Sequence, residues 1–162
     1  MTASEMPAAE KLVTALAQQL MSSGWRMVTV ESCTGGAIGG LITDRAGSSD
    51  WYEGGWITYS NALKEQLGVP PEAIVGHGAV SEPVALAMAE QGRLRAGVDV
   101  AVAVTGVAGP AGGSAEKPVG TVWIAWAWPG GIEATLFHFE GDRTRVRNQA
   151  ALQALQGLQQ RL

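Results

Sequence analysis

Cysteine and histidine are scarce in this chain of 162 residues, which has one cysteine, Cys33, and two histidines, His77 and His138. A lone cysteine forbids an intrachain disulfide. With so few soft ligands, far apart, and no acidic repeat, neither a zinc nor an EF-hand spacing is present, so no metal and no other cofactor are expected. Long apolar runs are missing too. No window approaches the roughly 18 uncharged residues of a membrane span, and Met1 to Glu10 carry two glutamates rather than a basic segment ahead of an apolar one. The expectation is a reducing, cytoplasmic setting without membrane contact. Positive charge is also in short supply: 11 Lys and Arg stand against 15 Asp and Glu, for a net charge of −4 and a pI near 5.1. That argues against nucleic acid as a partner, while a local arginine cluster could still hold a small phosphate ligand.

Glycine is abundant, at 22 residues, but scattered rather than periodic. Tight turns and close backbone approach are therefore expected, not a linker. Hydrophobic residues make up 46% of the chain and charged ones 16%, enough for a core and too few charges for disorder; residues 1–162 are expected to form one domain.

Leu12, Val13, Leu16, Leu20 and Met21 recur at helical spacing and predict a helix over residues 8–23, closed by Gly24. Met27 to Val30 reads as a buried strand, followed by the turn Glu31-Ser32-Cys33-Thr34-Gly35-Gly36 and a helix from Ala37 to Asp44. Trp51 to Tyr59 reads as a strand, and Ser60-Asn61 as the cap of a short helix carrying Lys64. Val69-Pro70-Pro71 breaks that helix and leaves His77 in a glycine-flanked loop. Ser81 is expected to N-cap a helix that ends at Gly97. Asp99 to Thr105 is almost continuously apolar, as a strand buried on both faces would be. A glycine-rich loop, Gly106 to Lys117, follows. Gly120–Trp128 and Glu133–Phe139 pair around Pro129-Gly130-Gly131 as a hairpin, with Trp123, Trp126 and Trp128 as strand packing, and Arg143 to Leu162 forms a last helix. This order predicts an α/β fold, a three-layer α/β/α sandwich with a mixed, mainly parallel sheet, and places its functional loops beyond the carboxyl ends of parallel strands, after Val30 and after Thr105.

Ser32 lies in a strand-to-helix turn. Its hydroxyl could act as a nucleophile, with backbone N–H groups of the turn binding an oxyanion, or it could simply cap the helix. Gly35 and Gly36 would let a ligand come close to the backbone. The segment is neither a Gly-x-Ser-x-Gly elbow nor a Walker A loop. Lys64 could serve as the base of a serine hydrolase, but only when neutral. At its ordinary pKa about one lysine in 2,500 is neutral at pH 7, a cost of roughly 4.6 kcal/mol, which burial would have to reduce. Cys33 could be a nucleophile instead, its pKa lowered by the helix start, or a small buried hydrophobe. Gly106 and Gly109 belong to a loop that could cradle a phosphate. Arg143, Arg145 and Arg147 cluster at a helix start where guanidinium groups suit phosphate, with at least one expected to be only solvated.

Five segments in series resemble one family over nearly the whole chain: Glu31 to Gly36, Thr58-Tyr59-Ser60-Asn61 with Lys64, Gly78-Ala79-Val80-Ser81, Thr105 to Pro110, and Lys117 to Val122. They are similar to the CinA carboxy-terminal domain family, which includes stand-alone nicotinamide-nucleotide amidohydrolases. One local departure is Ala62-Leu63, where many relatives have Glu-Ala. The resemblance implies hydrolytic deamidation of nicotinamide mononucleotide to nicotinate mononucleotide and ammonia, without a metal, by a protein that is usually a homodimer. It implies Ser32 as nucleophile, Lys64 as base and Tyr59 beside them, with Cys33, Thr34, Gly35, Gly36, Thr105, Gly106, Gly109, Arg143 and Arg147 toward the substrate. Backbone N–H groups from Cys33 to Gly35 would hold the oxyanion. The alternative is a nucleotide-binding regulatory module that kept the pocket without turnover.

Overall fold

The structure, a computed structural model, describes Met1 and residues 5–162. Helix α1 (Met6–Ser23) buries Ala9, Val13, Leu16, Ala17 and Leu20 along one stripe, the amphipathic pattern of a helix that covers a sheet. It ends at Gly24, whose φ of 68° closes the helix in the left-handed conformation open to glycine. Strand β1 (Met27–Glu31), helix α2 (Ala37–Thr43) and strand β2 (Tyr52–Ile57) follow, then helices α3 (Asn61–Leu67), α4 (Pro71–His77) and α5 (Glu82–Ala96). Strands β3 (Val100–Gly106), β4 (Thr121–Trp128) and β5 (Gly131–His138) lead to helix α6 (Arg143–Gln159).

The strands form one sheet in the order β2-β1-β3-β4-β5. β1 pairs in parallel with β2 and β3, while β3–β4 and β4–β5 are antiparallel. Only β4 therefore runs against the other four, as the expected mixed, mainly parallel sheet requires. The alternation of β3 divides the core. Val100, Val102 and Val104 pack with α1, α2 and α6 on one face, and Ala101 and Ala103 pack with α5 on the other. The small side chains let α5 lie close, and Gly92 of α5 completes the fit, because a Cβ there would collide with Val30. Each fully buried valine of β3 contributes roughly 1.5–3 kcal/mol through apolar transfer.

Several details depart from the expected elements. Pro70-Pro71 does not merely end α3: Pro71 starts α4, because proline's fixed φ suits the first helical turn. His77 is thus the last residue of a helix rather than part of a loop. Ser81 stands at the N-cap position of α5, but its Oγ donates to Gly78 O at 2.8 Å and caps nothing. The hairpin turn is the pair Pro129-Gly130, with Gly131 already opposite Trp128 in β5. Trp126 is packing, as expected, and its Nε1 donates to Ala154 O. No described helix is long and apolar enough to cross a membrane.

Candidate active site

The carboxyl ends of β1, β2 and β3 meet at one edge of the sheet and set the site. Ser32 N–H donates to Val104 O at 2.9 Å and Thr58 N–H to Glu31 O at 2.9 Å, so the segments leaving the three strands start in register. Ser32 leaves β1, Thr58 and Tyr59 leave β2, and Thr105 stands one residue before the end of β3. Ser60 caps α3 by accepting Leu63 N–H, and the last turn of that helix carries Lys64 back over the strand ends.

Lys64 Nζ lies 3.0 Å from Ser32 Oγ. The lysine is 1% exposed and the serine 7%. Nζ also lies 2.6 Å from Thr58 O and 3.5 Å from Tyr59 O. As an ammonium Nζ donates to all three oxygens; as the free amine it can donate to the two carbonyls and turn its lone pair to the Ser32 hydroxyl. Burial pushes the Lys64 pKa down to about 8, against a weaker opposing pull from Cys33. At that value roughly one amine in eleven is neutral at pH 7, so the cost of the free base falls from roughly 4.6 to about 1.4 kcal/mol.

Cys33 differs from its neighbour. Burial raises its thiol pKa to about 11, outweighing the local backbone N–H and the cations Lys64 and Arg147. The lowering expected from a helix start does not prevail, and a thiol protonated at pH 7 is a weak nucleophile.

The turn is fixed from two sides. The buried Glu31 carboxylate accepts N–H groups from Gly36 at 3.1 Å, Ile38 at 3.0 Å and Gly39 at 2.9 Å. It therefore takes the free donors at the start of α2, whose N-cap, Gly36, has no side chain to do so. On the other side Arg147 Nε donates to Cys33 O at 3.0 Å and Nη2 to Thr34 O at 2.9 Å. Gly35 N–H, expected to face an oxyanion, donates instead to Ser32 O at 3.1 Å. Among the described residues, the N–H of Thr34 has no acceptor, and that of Cys33 meets only its own thiol.

An open pocket of about 260 Å³ lies over this turn. Ser32, Cys33, Lys64, Tyr59, Thr105, Gly106 and Arg143 line it, together with Asn61, Ala79, Val80 and Ala108. No carboxylate is in its wall, so two cations give a net acidic protein a locally positive cleft. Arg143 Nη1 donates to Gly109 O at 2.8 Å and Nη2 to the Tyr59 hydroxyl at 3.2 Å. Tyr59, 60% exposed, thus contacts Arg143 through its phenol and Lys64 only through its carbonyl. Thr105 Oγ1 donates to Ala79 O at 2.8 Å and ties the segment before α5 to β3. Thr34, Gly35, Gly36, Gly109 and Arg147 do not line the pocket; Thr34, Gly35 and Gly36 form the turn beneath it, and Gly109 meets it through Arg143. Arg143 and Arg145 are both exposed and Arg147 is half-buried; Arg145 alone of the three neither lines the pocket nor holds the turn.

Glu31 is a site residue that no motif singles out, although a lone acid ending an apolar strand before a glycine-capped helix is a readable signal. Asn61, expected as part of a cap, opens onto the pocket. Ala79, Val80 and Ala108 carried no chemical signal at all. No group of three or more His, Cys, Asp or Glu side chains converges as a metal site among the described residues.

The CinA C-terminal domain family matches residues 9–162. The nicotinamide-nucleotide amidohydrolase PncC of Escherichia coli strain K12 is 52% identical over 145 residues, covering 88% of each chain. A CinA-like protein of Akkermansia muciniphila is 49% identical over 154 residues, and there the chain spans 37% of the relative's length. The crystal structure of a competence-damaged protein (CinA) superfamily protein from Escherichia coli superposes with a TM-score of 0.92 at 37% identity, covering 95% of this chain and 90% of that one.

Proposed function

The chain belongs to the CinA C-terminal domain family, and we propose that it hydrolyses the carboxamide of nicotinamide mononucleotide to give nicotinate mononucleotide and ammonia. Relatives with this activity in their name match it over most of both chains. The observation that carries the chemistry is the 3.0 Å approach of a buried amine to a buried hydroxyl at the floor of a cationic pocket.

Neutral Lys64 takes the Ser32 proton as Oγ bonds to the carboxamide carbon, and the carbonyl electron pair moves onto oxygen. Lys64 then returns that proton to the amide nitrogen, the C–N bond breaks, and ammonia leaves an acyl-serine. Water attacks in turn. Lys64 accepts its proton and restores it to Ser32 Oγ as the ester bond breaks, releasing the nicotinate carboxylate. Cys33 and Thr34 N–H groups stabilise the oxyanion in both halves. Arg143 and Tyr59 take the substrate's phosphate end, while Thr105 and Gly106 shape the wall beside the ring. A cytoplasmic setting and a homodimer belong to the same reading.

The test is ammonia release from nicotinamide mononucleotide by the purified protein and by Ser32→Ala. Turnover in the wild type and none in the variant is expected. Nucleotide binding without ammonia would instead make the chain a binding module, and activity retained in Ser32→Ala would end the serine mechanism.

A further inference from the structure

Arg147 stands one helical turn beyond Arg143 on α6, and the two guanidinium groups do different things. Arg143 opens onto the pocket. Arg147 is absent from its wall and is spent on two consecutive carbonyls, Cys33 O at 3.0 Å and Thr34 O at 2.9 Å. It lies flat against the turn: a Cβ placed on Gly35 would come within 3.5 Å of its Nη2.

A trans peptide unit is planar, so its C=O and the following N–H point in opposite directions. A carbonyl turned toward Arg147 therefore turns the next N–H away from it. In the Thr34–Gly35 unit the N–H opposite the carbonyl that Arg147 holds is spent within the turn, on Ser32 O at 3.1 Å. In the preceding unit Arg147 holds Cys33 O, and the N–H on the far side is that of Thr34, which has no acceptor among the described residues. Glu31 meanwhile occupies the N–H groups of Gly36, Ile38 and Gly39, and Cys33 N–H meets its own thiol, so the donor left over at this turn is that of Thr34.

We propose that Arg147 is a positioning residue that fixes the Cys33–Thr34 peptide so that Thr34 N–H faces the oxyanion formed at Ser32. This rests on the deamidase reading above and replaces a direct substrate contact for Arg147. The planar fork of arginine spans both carbonyls at once, which a lysine ammonium cannot do in the same geometry. Without it the peptide unit is free to turn, and a flipped unit would aim a carbonyl oxygen at the oxyanion.

The test compares wild type, Arg147→Met and Arg147→Lys in two assays, with Tm recorded for each. One is steady-state deamidation of nicotinamide mononucleotide. The other is the rate at which an alkyl fluorophosphonate labels Ser32, read by mass spectrometry; Oγ bonds to phosphorus, fluoride leaves, and the phosphoryl oxygen occupies the oxyanion position. The probe carries no nucleotide, so it is blind to substrate-phosphate binding. Loss of one oxyanion donor typically lowers kcat by about 10²–10³. Arg147→Met is expected to fall in that range with KM within about twofold, labelling should slow in parallel, and Arg147→Lys should lie between. Arg147→Lys carries the test should Arg147→Met not fold. A raised KM with unchanged kcat and wild-type labelling would overturn the proposal and assign Arg147 to the substrate's phosphate. Wild-type values in both assays, or a wild type that resists the probe, would overturn it too. A wild type that is labelled but does not release ammonia refutes the deamidase reading alone, and labelling of the variants still decides the role of Arg147.

Discussion

The turn after β1 and the loop after β3 both border the pocket, yet they are built in opposite ways. Ser32 to Gly36 is held on several sides, by the Glu31 carboxylate beneath α2, by Arg147 behind the carbonyls and by β3 through Val104. The loop from Gly109 to Lys117 is exposed along most of its length. Cationic side chains tether it: Arg143 grips Gly109 O, and Lys117 Nζ donates to His77 O at 2.6 Å. Under the proposed reaction the geometry would be set on the well-held turn, where an error of an ångström would be costly, and the exposed loop would meet the ligand. Damage to the turn should therefore appear in kcat, and damage to the loop's tether in KM.

The largest effect should come from the pair itself. Ser32→Ala or Lys64→Met should each lower ammonia release from nicotinamide mononucleotide by about 10⁴-fold or more, and the double variant should be little worse than either single one, because the two groups act as a unit. Additive losses would separate the two residues. Next comes Glu31→Gln, which replaces an acceptor of three N–H groups with an amide whose NH₂ faces donors. A fall in kcat of about 10–100-fold with a lower Tm is expected; an effect on KM alone would erase the contrast between turn and loop. Arg143→Met should do the reverse, raising KM about tenfold with kcat nearly kept. If kcat fell instead, the arginine at the loop would be serving the reaction rather than the ligand.

The smallest effect expected is on stability. The folded pKa of Lys64, about 8, lies below the unfolded value of about 10.4. Between those values the unfolded chain binds more protons, so stability rises with pH. The burial penalty is therefore complete below pH 8 and relieved toward pH 10.4. Lys64→Met, free of it, should have the higher Tm at pH 7, by a margin that narrows on going from about pH 8 to 10.4. A constant margin would mean that the folded amine titrates like a free lysine.

Much of this was legible in the residues. The strand-turn-helix around Ser32, the doubly buried β3 and the closing hairpin follow from apolar runs punctuated by glycine. The β2–α3 sequence betrayed a capped helix carrying Lys64. What local pattern could not reveal was that Lys64 meets Ser32, since the contact spans 32 positions and depends on two parallel strands ending in register. The family resemblance supplied that expectation. Cys33 stayed open between a nucleophile and a buried hydrophobe for a similar reason: its place at a helix start was visible, but the burial that decides for the second belongs to the packed fold. The three arginines near the start of α6 look alike in sequence, and only the tertiary structure distributes them among the pocket, the solvent and the back of the turn. The second proline of Pro70-Pro71 looks like an interruption in the sequence because a breaker and a helix start share that residue.

The central claim is that Ser32 is activated by an amine uncharged near neutral pH. The pH dependence of kcat/KM for deamidation tests it most directly. The rate should rise about tenfold per pH unit below an apparent pKa near 8 and then level off, following the free base of Lys64. A profile that is flat from pH 6 to 9, or one that still climbs toward pH 10 as an ordinary lysine would require, would contradict it.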